Sequence, residues 1–271
     1  MTVNLKEKYQ QLSQLEEKVA QDLYQAYQTK SSLQMADYEE AVKTEEAAYR
    51  VQRRVMALKN EPLGGYKVSL TSQETQKMFD SDEPLYGAQV ASHFVKSGKT
   101  LRMKQDLMAP LAEVELVFRV KSDLSPSDSL AELAAKTSVA PGVEVPDSRF
   151  AEWFPSLSKY LVMSDSAVGG YVVYGKELET SNFSMEQLSR VSCQLFHDNQ
   201  EVAAGNSAEV LGNPLNALKW LVDKLAKQGV KLSAGERVSS GTFLLPVAVT
   251  SGNWHVKFND YFEDVRFKVT D

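Results

Sequence analysis

The glycine and proline content of the chain changes abruptly at one point, and this change constrains the fold more than any other feature. The first 61 residues contain neither amino acid, whereas the next four read Pro-Leu-Gly-Gly. Because proline breaks helix interiors and glycine weakens them, the long stretch without either favours helices. From Tyr66 onward, short apolar runs alternate with turn residues, which is typical of β-strands. The sequence therefore predicts an α+β protein with an N-terminal helical region (1–62) and a β-rich body (63–271).

Two helices are predicted in the N-terminal region. The first carries one apolar stripe, because apolar residues recur at spacings of three or four. The members of this stripe are Leu5, Tyr9, Leu12, Leu15, Val19, Leu23 and Tyr27. In the second helix Val42, Ala48, Val51 and Val55 share a face, and Asp37 is a candidate cap near the start. A coiled coil is the alternative for this region, although its heptads are not sustained.

The body combines several strand-like runs with one strong helical pattern. Runs such as "YKVSL", "AEVELVFRV" and "RVSCQLFHD" are separated by Gly, Pro, Asn and Asp. The helical pattern is "NPLNALKWLVDKLAKQG", which places Pro214 at the start and Gly229 at the end of the helix. A shorter helix is predicted at "SPSDSLAELAAKT".

Charge and composition limit the partners and the compartment of the protein. The formal net charge of -6 makes nucleic acid and anionic membrane surfaces poor partners. No stretch approaches the roughly 20 apolar residues of a membrane span, and the N-terminus carries no apolar run typical of a signal peptide. We therefore expect a cytoplasmic protein that binds neither nucleic acid nor membrane. Cys193 is the only cysteine, which excludes an intrachain disulfide.

The run "LAEVELVFRV" places two carboxylates in an otherwise apolar strand. Side chains at i and i+2 of a strand share a face, so Glu113 and Glu115 point one way and the flanking apolar residues the other. Adjacent carboxylates repel unless a cation or a proton lies between them. Oxygen-only ligands suit a hard cation such as Mg²⁺. The alternative is an exposed strand with its polar face in water, and the spacing alone favours this alternative.

A third carboxylate, Glu144, lies in the short apolar stretch "VAPGVEVP". Glu144 is weak evidence of a site by itself. It follows the two strand glutamates in the chain, however, and the residues around all three form part of a longer pattern.

Five segments, in order along the chain, reproduce a pattern found in a known family. "GYKVSLTSQETQKMF" resembles a G-x-K-I-G-L-T-S segment, and "AEVELVF" resembles an E-x-E-hydrophobic strand. "VAPGVEVPDSR" is similar to A-P-A-x-E-I-x-D-S-R, and "SDSAVGGYVVYG" to a D-N-x-x-x-G-G segment. The longest match runs from "VLGNPLNALKWL" through "AGERV" to "GTFLLPV". From about Gly64 onward the chain therefore resembles the 2-keto-4-pentenoate hydratase/4-oxalocrotonate decarboxylase family of aromatic meta-cleavage pathways, within the fumarylacetoacetate hydrolase superfamily.

The resemblance implies a metal site and a class of substrate. Glu113, Glu115 and Glu144 match the family's ligands to a divalent cation, Mg²⁺ or Mn²⁺, and Lys67 matches its active-site lysine. Family members act on small 2-oxo acids or their enols, which chelate the metal through the carboxylate and the 2-oxygen. Chelation polarises the carbonyl and stabilises the enolate that forms when a proton moves at C3.

Polar residues in the matched segments are predicted to bind the substrate. These are Thr71, Ser72, Asp165, Ser166 and Thr242. For Ser72 and Thr242, capping of a turn is an equally weighted alternative.

The chain departs from the family where an acidic residue normally follows the lysine segment, in an E-P-D-[FY]-G motif. Here "DEPLYG" has Leu85 in the place of that aspartate. Asp82 and Glu83 precede it, and we predict that one of them substitutes as a catalytic residue that moves protons or positions water. Ser69 replaces the family's glycine in the lysine segment.

The leading hypothesis is a divalent-metal-dependent hydratase that adds water to 2-hydroxypenta-2,4-dienoate (2-keto-4-pentenoate) or a similar small 2-oxo acid. One alternative is a decarboxylase of 2-oxo-3-enedioates of the 4-oxalocrotonate type, which needs the same site. Another, motivated by Leu85, is an impaired family member that acts as a binding or structural partner. The resemblance also implies a homo-oligomer, and mixed, strongly curved sheets that form a roll like the C-terminal domain of fumarylacetoacetate hydrolase, with helices packed outside.

Overall fold

The computed structural model describes residues 11–259 and 261–271 of the chain. Leu5 and Tyr9, two members of the predicted first stripe, lie outside the described residues. Among the residues described, no helix combines the length and the apolar character that crossing a bilayer requires.

Helices come first in the chain and strands dominate the rest, as the sequence predicts. The helices are α1 Gln14–Thr29, α2 Glu45–Lys59, α3 Gln73–Met78, α4 Met103–Asp106, α5 Leu130–Ala135, α6 Lys159–Ser164, α7 Met185–Leu188 and α8 Pro214–Lys227. The strands are β1 Leu63–Ser69, β2 Leu85–Val90, β3 Phe94–Lys96, β4 Lys99–Arg102, β5 Leu111–Val120, β6 Thr137–Val145, β7 Tyr171–Tyr174, β8 Leu178–Glu179, β9 Ser192–His197, β10 Gln200–Asn206, β11 Arg237–Ser239, β12 Val247–Ala248, β13 Gly252–Phe258 and β14 Val265–Thr270.

Helix α1 begins at a capping box. The Ser13 hydroxyl accepts from the backbone N–H of Glu16, and the Glu16 carboxylate accepts from the backbone N–H of Ser13. Val19 and Leu23 of the predicted stripe are buried in the core. Leu15 of the same stripe is 60% exposed and Leu12 precedes the helix, so the predicted stripe is wrong at these two positions and packing uses only its later part.

Helix α2 begins later than the sequence predicts. Its cap is Thr44, whose Oγ1 accepts a hydrogen bond from Ala47 N at 3.2 Å. The cap predicted at Asp37 is wrong, because Asp37 belongs to a separate 3-10 turn and residues 38–43 form turn and loop. Two glutamates in the first turn, Glu45 and Glu46, favour the later start through the helix dipole.

One side chain, Gln52, attaches helix α2 to the body. Its Nε2 donates to the carbonyls of Tyr86 at 3.1 Å and Met163 at 2.6 Å, and its Oε1 accepts from Ala88 N at 3.0 Å. Helix α2 thus joins strand β2 to helix α6 in addition to packing on α1. This arrangement replaces the coiled coil that was the alternative for the helical region.

The body contains two mixed sheets, which confirms the predicted fold class. The larger sheet has nine strands in the order β2-β1-β11-β5-β6-β7-β3, with β12 paired to β5 and β8 to β6. In it β1 and β11, and also β3 and β7, run parallel, whereas the other pairs are antiparallel. The smaller sheet has five strands in the order β10-β9-β13-β14-β4.

Helix α8 has the limits that the sequence predicts. Pro214 is its first residue, Asn213 caps it, and Gly229 lies just beyond the last turn with a φ of 72°. Its apolar face is buried against α5 and β1. Helix α8 therefore packs on the large sheet at strand β1.

A single buried apolar cluster joins Val19 and Val51 of the helical region to Val68 and Leu85 of the large sheet. The proposed division into 1–62 and 63–271 follows the change from helices to strands and remains a prediction.

Candidate active site

Strand β5 alternates between two faces, as predicted from its sequence. Ala112, Val114, Leu116 and Phe118 are fully buried in the apolar core on one face. On the other face Glu115 is also fully buried, at 0% exposure. Glu113 on the same face is half-buried, whereas Arg119 near the end of the strand is exposed. The part of this face that carries the two glutamates is therefore largely withdrawn from water, which argues against the exposed-strand alternative.

The pairing of β5 with β6 brings the three glutamates together. Glu113 pairs with Glu144, and Glu115 pairs with Gly142, which has no side chain. Each of the three carboxylates offers an oxygen within 4.8 Å of the others. No other group of three or more potential metal ligands comes as close together in the part of the chain that the structure describes.

The carboxylate of Glu115 is fixed by two hydrogen bonds on one side only. Its Oε2 accepts from the Ser239 hydroxyl at 2.5 Å and from Gly241 N at 2.8 Å. Its Oε1, and Oε2 of Glu144, have no hydrogen-bond partner among the described residues. Unpartnered buried carboxylate oxygens are costly, and a metal ion is one of the few ligands that removes this cost.

The positively charged side chain beside the three glutamates is that of Lys67. It lies on β1, and its Nζ is 2.6 Å from Oε1 of Glu144 and 3.0 Å from the carbonyl of Ala167. Burial lowers the pKa of the Lys67 ammonium, but the charge of Glu144, supported by the other two glutamates, outweighs burial and leaves this pKa above its usual value. Lys67 is therefore charged at neutral pH.

The electrostatics of the site favour a bound divalent cation. Burial raises the pKa of Glu113 to about 7 against the opposing charge of Lys67. Burial raises the pKa of Glu115 further, and the charges of Glu144 and Glu113 add to the effect. When all three carboxylates are ionised, the single ammonium leaves two negative charges uncompensated, which a divalent cation with oxygen ligands balances. The residues present therefore fit Mg²⁺ or Mn²⁺.

A strained loop places the carbonyl that holds Lys67. Ser166, Ala167 and Val168 all have positive φ, at 53°, 53° and 51°. This conformation is unfavourable for non-glycine residues, above all for the β-branched Val168. Gly87 permits it, because a Cβ on Gly87 would lie 1.8 Å from the carbonyl oxygen of Ser166.

Asp165 anchors this loop from within the protein. Its carboxylate accepts from Arg149 Nε at 2.5 Å and from Arg149 N at 2.9 Å. The same guanidinium donates to the carbonyl of Gly169 at 2.7 Å. Asp165 is thus committed to Arg149, whereas the buried hydroxyl of Ser166 has no hydrogen-bond partner among the described residues.

A narrow cavity opens beside the glutamates. Of the predicted site residues, Lys67, Glu113 and Thr242 line it. Its remaining walls are Val68, Ser69, Leu70, Thr75, Phe79, Trp153, Phe154, Val162, Val168 and Pro246. Most of these residues lie in segments already matched to the family, whereas Trp153, Phe154 and Val162 lie outside them. Only the fold brings the separate segments together.

Thr71 and Ser72 lie behind the cavity and do not line it. Thr71 packs against Gly241, where an added Cβ would come within 2.3 Å of the Thr71 hydroxyl oxygen. The Ser72 hydroxyl accepts from Thr75 N at 3.2 Å and caps helix α3, as the capping alternative states. The Thr242 hydroxyl also makes local turn contacts, accepting from Leu244 N at 3.3 Å and donating to the carbonyl of Leu244 at 2.7 Å.

The structure does not bring Asp82 and Glu83 to the cavity. Both are exposed, and Glu83 accepts from Lys224 of helix α8 at 2.8 Å. Leu85 lies opposite Ser69 on the face of the sheet that carries Lys67, and it is fully buried. The geometry therefore gives no support to the prediction that Asp82 or Glu83 takes over the role of the missing aspartate. The apolar side chain of Leu85 occupies the position at which the resemblance implies that aspartate.

Comparisons with known proteins give consistent results. A scan against protein-family models finds no match. The 2-keto-4-pentenoate hydratase of Paraburkholderia xenovorans is 30% identical over 247 residues, which cover 89% of each chain. The 2-oxo-hept-4-ene-1,7-dioate hydratase of Escherichia coli is 28% identical over 253 residues, covering 89% of this chain and 93% of that one.

The fold has a solved counterpart. The 4-oxalocrotonate decarboxylase of Pseudomonas putida G7, crystallised with magnesium and adipate, superposes with a TM-score of 0.87. The match covers 96% of this chain and 99% of that chain at 23% identity. Together with the identity and coverage of the hydratase sequences, these results show that the chain belongs to the 2-keto-4-pentenoate hydratase family.

Proposed function

We propose that this protein is a divalent-metal-dependent hydratase that adds water to 2-hydroxypenta-2,4-dienoate or a similar small 2-oxo acid. The observation that carries the proposal is the buried group formed by Glu113, Glu115 and Glu144, which Lys67 balances only in part. The homologous hydratases support the reaction type.

Glu113, Glu115 and Glu144 would hold Mg²⁺ or Mn²⁺. When bound, such a cation supplies Lewis-acid polarisation of the 2-oxygen of the substrate and stabilises negative charge on it. The decarboxylase with the same fold was crystallised with magnesium, which supports the choice of a hard cation. The Ser239 hydroxyl and Gly241 N keep Glu115 in place, so that its free oxygen faces the other carboxylates.

Lys67 binds the substrate and moves a proton. An ammonium has three N–H donors, and Glu144 and the carbonyl of Ala167 account for two of them. The third donates to the substrate carboxylate and relays a proton between the substrate carbon skeleton and water. The Asp165–Arg149 pair contributes indirectly, because it fixes the loop that presents the carbonyl of Ala167.

The walls of the cavity exclude bulk water from the reacting carbons. Phe79, Trp153 and Phe154 surround the space beside Lys67 and Glu113. A dry site strengthens the interactions of these charged groups with the substrate. Leu85 supplies no carboxylate, so proton transfer depends on Lys67 and on water.

Decarboxylation of a 2-oxo-3-enedioate is the second candidate, because the solved protein of the same fold is a 4-oxalocrotonate decarboxylase. Both reactions pass through an enolate of a 2-oxo acid. A third candidate, a binding protein without turnover, is motivated by Leu85. Assembly into a homo-oligomer remains a prediction.

Turnover of 2-hydroxypenta-2,4-dienoate tests the proposal. We expect loss of dienoate absorbance with Mg²⁺ present, no loss with excess chelator, and no CO₂ release from this substrate. Glu144→Gln should lower the rate at least 100-fold, the scale of losing a catalytic group. Full turnover in Glu144→Gln, or wild-type protein that binds Mg²⁺ and consumes no dienoate, contradicts the proposal. Release of CO₂ from 4-oxalocrotonate at a higher rate than dienoate hydration favours the decarboxylase.

A further inference from the structure

The last residue of strand β1 carries a hydroxyl that the protein itself does not use. Ser69 lines the cavity together with Lys67 and Glu113, and its Oγ has no hydrogen-bond partner among the described residues. We infer that Ser69 binds and orients the water molecule that adds to the substrate. The inference rests on the proposed hydratase reaction. It gives a role to a residue that the resemblance does not predict, since the matched segment has glycine at this position.

The alternation of strand β1 places Ser69 beside the active-site lysine. Lys67 and Ser69 are separated by one residue of the strand, so their side chains share a face of the sheet. At a rise of about 3.3 Å per residue, their Cα atoms lie about 6.5 Å apart. Ser69 is half-buried, whereas Lys67 is fully buried. The hydroxyl is therefore the neighbour of the ammonium along the strand, within the lining of the same cavity.

The other uncharged polar side chains of the lining use their protons within the protein. Thr75 Oγ1 and Thr242 Oγ1 donate to backbone carbonyls at 3.1 Å and 2.7 Å. Trp153 Nε1 donates to another backbone carbonyl at 3.0 Å. Among the described residues that line the cavity, Ser69 therefore has the one hydroxyl with an uncommitted proton. A hydroxyl offers one donor and two acceptor lone pairs, which suits it to hold a water molecule.

The residue opposite Ser69 offers no polar atom to such a water. Ser69 pairs with Leu85 in the antiparallel register of β1 and β2, so the two side chains lie on the same face. Leu85 is apolar and fully buried. On this part of the face, the polar group belongs to β1 rather than to β2. In a site whose walls exclude bulk water, the reacting water needs a fixed partner, and Ser69 supplies it.

The addition step needs no further reactant. The water oxygen forms a bond to C4 of the conjugated 2-oxo-3-enoate form of the substrate, and the electron pair of the C3–C4 double bond passes to C3. Lys67 gives a proton to C3 and regains one from the water. Ser69 Oγ accepts a hydrogen bond from the remaining O–H of the water, which directs an oxygen lone pair at C4. Ser69 is unchanged at the end of the step.

Steady-state kinetics with 2-hydroxypenta-2,4-dienoate and Mg²⁺ test the inference. Ser69→Ala should lower kcat about tenfold, which is the rate equivalent of one hydrogen bond. The KM for the dienoate should change less than twofold, as should the calorimetric affinity for 2-oxopentanoate, which has the chelating group but no alkene. Ser92→Ala is the control, because Ser92 is exposed and donates to Glu61 at 2.6 Å. This control should change none of the three quantities.

The results separate this inference from the proposed function. A kcat of Ser69→Ala within twofold of the wild-type value overturns the role of Ser69 and leaves the hydratase proposal intact. A loss of 2-oxopentanoate affinity as large as the loss of kcat also overturns it, because such a loss shows a general effect on the site. A wild-type protein that consumes no dienoate overturns both.

Two substitutions of equal shape provide a second arm of the test. Ser69→Thr and Ser69→Val add nearly the same volume to the cavity, and both residues are favoured in strands, but only threonine retains the hydroxyl. We expect kcat of Ser69→Thr to exceed that of Ser69→Val about tenfold. Equal kcat values in the two variants would show that the size of the side chain matters and the hydroxyl does not, which contradicts the inference.

Discussion

Glu113 and Glu144 face each other as a directly opposed pair on two adjacent antiparallel strands. Side chains in such a pair have Cβ atoms only about 4.5–5.5 Å apart, and like charges in this position destabilise a sheet. Glu115, two residues along the same strand, adds a third carboxylate to the same face. A cation held between these carboxylates therefore stabilises the sheet.

Two adjacent serines allow the effect of the hydrogen bond to Glu115 to be distinguished from a general effect on packing. Ser239 donates to Glu115, whereas the buried hydroxyl of Ser240 has no hydrogen-bond partner among the described residues. Ser239→Ala should weaken Mn²⁺ binding about 10–100-fold, because groups that orient metal ligands have effects of this size. Ser240→Ala should change the affinity less than twofold. Equal effects of the two substitutions in a metal titration would show that Ser239 has no special role.

The stability of the metal-free protein should fall as the pH rises. Burial raises the pKa of Glu113 to about 7 from the value of 4.5 in the unfolded chain. The folded state therefore holds a proton that the unfolded state loses, and the free energy of unfolding decreases by up to about 1.4 kcal/mol per pH unit from this group. This decrease in the free energy of unfolding extends from about pH 4.5 to about pH 7.

Urea unfolding in excess chelator measures this dependence. Glu113→Gln should give a shallower slope across the same window, because glutamine does not titrate. A slope as steep as that of the wild-type protein would rule out titration of Glu113. Saturating Mg²⁺ should restore stability at pH 8, since metal and protons compete for the same oxygens.

Lys67 and Glu144 form a buried ion pair, and both side chains are only 1% exposed. Lys67→Met should lower the free energy of unfolding of the metal-free protein by about 3–5 kcal/mol, because it leaves a buried carboxylate unpaired. Lys121→Met breaks a surface pair with Glu179 and should cost less than about 1 kcal/mol. Chemical denaturation of the two variants tests this, and similar losses in both would contradict a buried, charged Lys67.

Gln52 should be one of the most sensitive positions in helix α2. Gln52→Leu removes hydrogen bonds to Tyr86, Ala88 and Met163 together, and buried groups left unpaired cost about 1–3 kcal/mol each. We therefore expect a loss of at least about 3 kcal/mol in thermal or urea unfolding. Gln21→Leu is the control, since Gln21 is exposed and bonds only Glu17 among the described residues. If Gln52→Leu lowers the free energy of unfolding by less than the cost of two unpaired groups, about 2 kcal/mol, then α2 packs on the body mainly through its apolar face.

The parts of the structure that follow local rules were predictable from the sequence. The alternation of strand β5 and the limits of helix α8 depend on neighbouring residues, through the two-residue period and through Pro214 and Gly229. The closeness of Glu113 and Glu115 follows from the same period. The closeness of Glu144 to these two residues was predictable only from the order of the family motifs. No local geometric rule predicts it, because strand register is a property of the whole sheet.

Other features depend on contacts between distant segments, which no local pattern contains. In the sequence, nothing distinguishes Glu83 from an acidic residue of a site. In the fold, Lys224, 141 residues away in the chain, donates to Glu83 at the surface. The lining of the cavity combines Phe79, Phe154 and Pro246 from three segments. Positive φ at Val168 contradicts the local preference of a β-branched residue and is imposed by its surroundings.

Metal binding by the three glutamates is the central claim, and a calorimetric titration with Mn²⁺ tests it most directly. We predict one ion per chain in the wild-type protein and in Glu201→Gln, which alters an exposed glutamate on strand β10. Glu115→Gln should remove measurable binding, because the amide loses the charge and one acceptor oxygen. Absence of binding in the wild-type protein, or unchanged binding in Glu115→Gln, would contradict the account.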